Sequence, residues 1–260
     1  VPTQGQATAQ RQASRHTGLK PENINIHTTF LGGGFGRRGE FDFLVEAVQI
    51  SKAVDAPVKV IWTREEDVRF DRYRPATYNR LSAAFDGNGV LIAWQHQIAG
   101  PSILSRFSPD VLKSGMDNSS IEGAANVPYA IPNVHVTYAL VNTPVPVGFW
   151  RSVGSSQNAF ITECFFDEVA RAAGKDPLLL RRELLKNHPR HRAVLDLAAQ
   201  KAGWGTPLPK GRARGVAVVE SFSSFVAQVA EVSISHGKVR VHRVVCVVDC
   251  GIVVNPAIVT

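Results

Sequence analysis

Cysteine is scarce in this 260-residue chain, with three in all. Cys164, Cys246 and Cys250 have no metal-like Cys-x-x-Cys spacing, which excludes a zinc-ribbon or dithiol motif and leaves no cysteine set for an iron–sulfur cluster. Cys246 and Cys250 belong to the apolar run around 241–248. On a strand they would lie about 13 Å apart, too far for a disulfide. The expectation is three buried thiols. Membrane-length apolar runs are missing, as is a signal-like apolar segment at the start. No internal repeat and no low-complexity tract occurs. The net charge is +7, yet the positives are scattered, with small clusters at 37–38, 181–182 and 186–192. No basic run is interleaved with aromatics, which argues against nucleic acid while leaving room for an anionic ligand. Val1 stands where an initiator methionine would, and 247–260 lacks a terminal element, so the chain reads as a piece of a longer protein.

Apolar residues at 44% and charged residues at 20% are those of an ordinary globular chain with a real core. Periodicity predicts helices over 7–18, 42–54, 156–173, 176–186 and 193–202. The inward side of 156–173 is assigned to Phe160, Cys164, Val169 and Ala173. Asp176 caps its helix with Pro177 at the first position, and Thr63-Arg64-Glu65-Glu66 fits a capping box. Strands are predicted over 23–31, 58–62, 77–85, 90–99, 133–141, 216–220, 225–235 and 238–248. Asp86-Gly87-Asn88-Gly89 marks a hairpin, and His236-Gly237 a second turn. The segment 101–128 is polar and irregular, and long enough to be functional or mobile. Because hairpins link most strands, an α+β fold with mixed or antiparallel sheets is expected rather than a doubly wound parallel sheet. Two parts are expected: 1–147, carrying a glycine loop and a hairpin, and 148–260, helical and then β. Asp167 and Glu168 are read as packing or ion-pair residues, Asp249 as a loop brace, and Arg181 and Arg182 as a solvated helix face. His96, His135 and His236 are read as surface residues.

The most informative stretch is Gly32-Gly33-Gly34-Phe35-Gly36-Arg37-Arg38. Four glycines in five positions are costly to order, so the backbone must either reach positive φ or let a group approach closely. Three explanations stand. Gly34-Phe35-Gly36-Arg37-Arg38-Gly39 formally matches the dinucleotide fingerprint, although two arginines sit where the helix should hug the strand, and no βαβ series follows. The run could be a structural tight turn. It could also be a loop whose amides contact a cofactor phosphate or a ligand oxygen.

Leu31-Gly32-Gly33-Gly34-Phe35-Gly36 resembles the loop of the molybdopterin-binding subunit of the xanthine dehydrogenase/aldehyde oxidase family. Arg37-Arg38 is most similar to the branch that contains the isoquinoline 1-oxidoreductase beta subunit. Other stretches agree in order. Pro2-Thr3-Gln4 resembles the family's Thr-Gln motif, and Phe149-Trp150-Arg151-Ser152-Val153-Gly154 with Gln157-Asn158-Ala159-Phe160 its arginine–glycine segment. The stretches at 166–170 and 173–177 resemble the following helix pair. Val248-Asp249-Cys250-Gly251 with Asn255-Pro256 resembles a late aspartate-glycine/asparagine-proline motif.

The resemblance implies an oxidoreductase that hydroxylates an electron-poor carbon of an N-heterocycle or an aldehyde with oxygen from water, on a molybdenum held by a pterin dithiolene. It implies catalytic roles for Gln4 and Arg151, and cofactor contacts from Gln4, Gly33, Gly34, Phe35, Gly36, Arg37 and Arg151, with no metal ligand from the protein. Gln4 would lie beside a cofactor oxygen, and Arg151 would stabilise developing negative charge. Without the resemblance, Gln4 reads as a surface residue and Arg151 as a structural ion-pair partner. The implied partners are a small-molecule substrate and an iron–sulfur small subunit, in a cytoplasmic or periplasmic bacterial-type enzyme. Two departures stand out. Arg37-Arg38-Gly39-Glu40 replaces the family's Gly-Gly-Lys-Glu, shifting the carboxylate by one residue and arguing against a substrate role for Glu40. The family's general-base glutamate has no match here, so the piece alone is expected to be inactive and without its cofactor. The alternatives remain an NAD(P)-binding domain or a non-catalytic anion- or partner-binding module.

Overall fold

The structure, a computed structural model, describes residues 1–107, 110 and 115–259. It divides into two compact units, one formed by Val1–Thr77, Gly100–Ser114 and Leu140–Val153, the other by Tyr78–Ala99, Gly115–Ala139 and Gly154–Thr260. Part of 101–128 lies outside the described residues; the described remainder holds a 3-10 turn at Leu104–Arg106 and a short helix at 118–121.

In the first unit, helix α1 (Gln6–Thr17) packs on α2 (Asp42–Val54). Their small core joins Ala9 and Ala13 to Leu44, with Ile24, Ile26 and Phe43 laid against it. Gly18 ends α1 with φ 79°, and its N–H donates to Ser14 O, the left-handed stop that glycine makes at least cost. Helix α3 (Arg64–Phe70) opens on the expected capping box: Thr63 accepts from Glu66 N, while the Glu66 side chain accepts from Thr63 N. The two strands expected at 23–31 and 58–62 do not form. The first holds a 3-10 turn at Pro21–Asn23 and then runs extended, tied to residue 1 by Val1 N to His27 O at 2.7 Å and Thr29 N to Val1 O at 3.3 Å. The apolar alternation is present in both segments, but among the described residues neither has a ladder partner, and Phe30 and Ile61 lie exposed. A strand exists only as half of a pair.

The second unit contains two three-stranded sheets. Strands β1 (Tyr78–Phe85) and β2 (Leu91–Gly100) form the expected antiparallel hairpin. Asp86 Oδ1 accepts from both Asn88 N and Val90 N at 2.9 Å, and Gly89 takes φ 76°. Strand β3 (Asn133–Leu140) adds to β2. It runs parallel to β2, since Asn133 Nδ2 donates to Ile92 O and Val141 N to Gly100 O, both at 2.9 Å. After a short helix α4 (Asn118–Ile121), preceding β3 in the chain, come α5 (Val153–Ala172), α6 (Pro177–Leu184) and α7 (Pro189–Ala202). Strands β4 (Arg212–Ser221), β5 (Ser224–Ser235) and β6 (Lys238–Asp249) form an antiparallel meander, and a short α8 (Pro256–Val259) follows. Helix α7 packs on this sheet. Val216 and Val218 of β4 and Ala227 and Val229 of β5 alternate inward onto Val194, Leu195 and Ala198 of α7 and Phe166 of α5. The α+β architecture with mixed sheets is the one expected.

Several side chains differ from expectation. On α5 the inward side is Asn158, Thr162, Glu163, Phe166, Val169 and Ala170, whereas Phe160 is 71% exposed and Cys164 is exposed. The stripe keeps the helical period but its first half is polar. Asn158 Nδ2 donates to Ser120 O at 2.9 Å and Glu122 O at 2.8 Å, which offsets its burial. Arg181 is not solvated but fully buried, bonded to Glu163 and Asp167; Arg182 is half-exposed and paired with Asp196. His96 is buried too, hydrogen-bonded to Asn79 Oδ1 at 2.8 Å, while His135 and His236 are exposed. Cys164 and Cys246 are exposed and Cys250 is intermediate rather than buried; on β6 it is Val245 and Val247, the neighbours of Cys246, that pack against the core. Asp249 braces its loop as expected, accepting from Arg190 twice at 2.7 Å and from Gly251 N at 3.0 Å.

Candidate functional site

Gln4 and the glycine loop come together in the first unit. Gln4 N donates to Arg38 O at 2.9 Å, and Gln4 Oε1 accepts from Gly36 N at 3.1 Å. Thr3, which is buried, supports this start: its Oγ1 accepts from Gly5 N at 3.1 Å. The Gln4 amide is thus oriented through its oxygen, leaving Nε2 as an uncharged donor. Arg38 N donates to Gly34 O at 3.1 Å and Gly39 N to Gly36 O at 3.0 Å, closing the loop into a 3-10 turn at Arg37–Gly39.

The glycines are required here for space as well as torsion. A Cβ on Gly34 would overlap the Gln4 side chain. On Gly36 it would lie 2.5 Å from Phe149 O, at a φ of 84°. Between them Phe35 itself takes φ 52°, a left-handed conformation that a bulky residue adopts only when its surroundings impose it. What imposes it is the segment 149–151. Arg151 N donates to Phe35 O at 3.0 Å, and the Arg151 guanidinium lies 6.0 Å from the centroid of the Phe35 ring. Phe149 stacks on Phe107, with centroids 5.6 Å apart. Glu40, 7% exposed, accepts from Arg106 Nη2 at 2.5 Å, so this carboxylate braces the unit.

Of the residues singled out in the sequence, Gln4, Gly34, Phe35, Gly36 and Arg151 converge. Gly33, at φ 137°, lies against the Phe35 ring. Arg37 points its side chain elsewhere, pairing with Asp42 at 2.8 Å and with Asp71, and it is held at raised pKa by those carboxylates against the opposing effect of burial. Any ligand contact from Arg37 is therefore through its backbone. Sequence reasoning missed Arg74, Arg106 and Phe107. Arg74 donates to Arg151 O at 2.8 Å and to Val153 O at 2.7 Å. Arg151, Val153, Glu40 and Phe149, which they meet here, lie 40 or more positions away.

The arrangement offers a tight glycine loop packed on Gln4 and Phe149, one neutral donor and one guanidinium, which suits a group carrying acceptor oxygens. A pterin-type cofactor fits that set, whereas a dinucleotide does not. Among the described residues, the segment before the loop is not a ladder strand, a 3-10 turn replaces the helix N-terminus, and no βαβ series follows. Among the described residues, no three His, Cys, Asp or Glu side chains gather as metal ligands.

Comparison with known proteins places the chain in the molybdopterin-binding oxidoreductase superfamily. The chain belongs to the molybdopterin cofactor-binding domain family, whose match covers residues 1–185. It is 32% identical to the isoquinoline 1-oxidoreductase subunit beta of Brevundimonas diminuta, over 100% of this chain and 34% of that protein. It is 31% identical to a membrane-bound aldehyde dehydrogenase of Gluconacetobacter polyoxogenes, over 91% of this chain and 34% of that one. In structure it resembles quinoline 2-oxidoreductase from Pseudomonas putida 86, with a TM-score of 0.66 at 18% identity over 88% of this chain and 31% of that chain. The chain thus spans about a third of the length of these two relatives. Among the described residues, no helix is long and apolar enough to cross a membrane.

Proposed function

We propose that this chain forms one wall of a molybdopterin site in an oxidoreductase of the isoquinoline 1-oxidoreductase type, acting within a longer polypeptide. The observation that carries the proposal is the joint fixing of Gln4 and Arg151 by the glycine loop, through Gly36 N to Gln4 Oε1 at 3.1 Å and Arg151 N to Phe35 O at 3.0 Å. When bound, the cofactor supplies the two-electron chemistry by which an N-heterocycle or aldehyde carbon is hydroxylated with oxygen from water. The chain's own residues bind and orient. Gly33, Gly34, Phe35 and Gly36 form a loop that seats Gln4 and Phe149 closely and so fixes the donors presented to the group. Gln4 Nε2 donates to an acceptor oxygen without adding charge. Arg151 supplies a positive charge where negative charge builds up, which is worth most when water is excluded. A carboxylate base and the substrate funnel would come from other parts of the protein, and an iron–sulfur small subunit would take the electrons. The names of the relatives support this substrate class, heterocycles and aldehydes, without choosing among its members.

The test is to produce the chain within its natural reading frame in a host that makes molybdopterin. Molybdenum is measured by mass spectrometry and pterin by fluorescence after oxidative release. About one of each per polypeptide is expected, and Gln4→Met is expected to lower retention about tenfold through loss of one hydrogen bond to a charged group. Protein devoid of pterin in every preparation would refute the proposal.

A further inference from the structure

The segment that presents Arg151 is held in a backbone conformation its own residues disfavour. Ser152 takes φ 61° and Val153 φ 44°. For valine, branched at Cβ, the left-handed region is a genuine outlier, and such a turn persists only where neighbours over-determine it. Within the turn, Val153 N donates to Trp150 O and Ser152 Oγ to Arg151 O, both at 2.7 Å. Arg74 reaches into the turn from outside. Its Nη1 donates to Val153 O at 2.7 Å, its Nη2 to Arg151 O at 2.8 Å, and its guanidinium lies 5.4 Å from the Trp150 ring centroid. One planar fork therefore spans the two carbonyls that bracket Ser152.

Arg74 is itself well anchored. Tyr73 N donates to Pro146 O at 2.9 Å and Gly148 N to Tyr73 O at 3.0 Å, a parallel bridge between Tyr73 and Val147. The Tyr73 hydroxyl donates to Val68 O at 2.6 Å and Arg69 O at 3.0 Å, capping the end of α3. A continuous set of bonds therefore runs from α3 through Tyr73 and Arg74 to the 151–153 turn, and through Arg151 N to Phe35 O in the glycine loop.

We propose that Arg74 is a positioning residue: by gripping the carbonyls of Arg151 and Val153 it holds the left-handed turn that sets Arg151 against the glycine loop. The inference rests on the proposal that Arg151 serves the cofactor site. Lysine cannot replace Arg74 fully, because an ammonium lacks the rigid fork that meets two carbonyls at once.

The experiment uses the full-length protein produced with its cofactor, with Arg74→Met, Arg74→Lys, Arg151→Met and the Arg74→Met/Arg151→Met double variant. Two charge-assisted hydrogen bonds disappear in Arg74→Met, so amide exchange over 149–153 is expected to quicken about tenfold or more. Arg74→Lys should recover part of the protection, and it keeps the test open should the methionine variant fail to fold. Pterin retention should fall in Arg74→Met, and the double variant should lose no more than Arg151→Met alone. Unchanged exchange over 149–153 would overturn the proposal, as would additive losses of pterin, which would place the effect of Arg74 outside Arg151. An unsubstituted protein without pterin would instead overturn the cofactor proposal and with it the functional half of this one, leaving exchange to decide whether Arg74 holds the turn.

Discussion

Replacing Arg181 by methionine separates a buried charge network from a solvated helix face. The Arg181 side chain is 0% exposed. It donates from Nε to Glu163 Oε2 at 3.0 Å, from Nη2 to Glu163 O at 3.0 Å, and from Nη1 to Asp167 Oδ1 at 2.6 Å and Pro177 O at 3.2 Å. The guanidinium also lies 4.6 Å from the Phe166 ring centroid. Burial pulls its pKa down, but the charges of Glu163 and its neighbours outweigh that and raise it, so the side chain is a cation throughout the accessible range. Methionine fills much of the volume but leaves the Glu163 carboxylate buried without its cation. Removing one partner of a buried pair costs about 3–5 kcal/mol. The lower end applies here, because Glu163 keeps the Tyr129 hydroxyl at 2.5 Å and Val218 N at 2.8 Å, and because the Asp167 arm is 36% exposed and already screened. At roughly 2–4 °C per kcal/mol for a chain of this size, about 3 kcal/mol lowers the thermal midpoint by about 6–12 °C. Differential scanning calorimetry of Arg181→Met beside Arg182→Met measures it. Arg182 is 40% exposed and paired with Asp196 at 2.7 Å, so its loss is expected to cost less than about 1 kcal/mol. Equal midpoints for the two variants would refute the reasoning.

Gly36→Ala is expected to destabilise the first unit by about 1–3 kcal/mol through its left-handed backbone alone, with the overlap on Phe149 O added, and to reduce pterin retention. Gly39→Ala, where a Cβ meets nothing within 4 Å, should be silent in both melting and pterin assays; equal effects would deny the loop its special geometry. Burial holds His96 near pKa 4, below its usual 6.5, and His191 likewise, through burial first and then the charges of His188 and Arg190. Between those values the unfolded chain binds more protons than the folded one, so stability falls as pH drops from 6.5 toward 4 and these groups add no further loss below that. Urea midpoints across that range should fall with pH in the native protein and fall less in His96→Gln; an unchanged slope in the variant would count against a buried neutral His96.

What the sequence revealed most clearly were the elements written in adjacent residues. The Asp86–Gly89 hairpin, the Thr63 capping box and the Asp176-Pro177 helix start each depend on a few neighbouring positions, and each formed as expected. The strands at 23–31 and 58–62 carried the same alternation as β4 and β5 but lacked a neighbour to pair with, and alternation cannot reveal that. Helix α5 shows a second limit. Its inward face includes Asn158 and Glu163, which an apolar stripe misses because their burial is offset by Ser120 O, Glu122 O, Arg181 and Val218 N, all distant in sequence. Arg181 was legible only together with Glu163, eighteen residues before it on another helix.

The site divides along the same line. Gln4, the glycine run and Arg151 were singled out through ordered motifs, and the run itself required either positive φ or a close approach to the backbone. What the motifs could not convey is why a glycine is needed at each place. Gly34 yields to Gln4, Gly36 to Phe149 O, and only the folded loop sets those groups side by side. Arg37 carries the converse lesson: its place in the motif suggested a ligand contact, yet Asp42 and Asp71 claim its guanidinium. Arg74 sits between Tyr73 and Pro75, and the two carbonyls it grips lie 77 and 79 residues ahead. The loop is stiffened locally by its own turn bonds and by Gln4, while the turn at 151–153 that meets it is held by Arg74, a donor remote in sequence. Residues of this kind therefore escape motif comparison while fixing the geometry that the motifs exist to present.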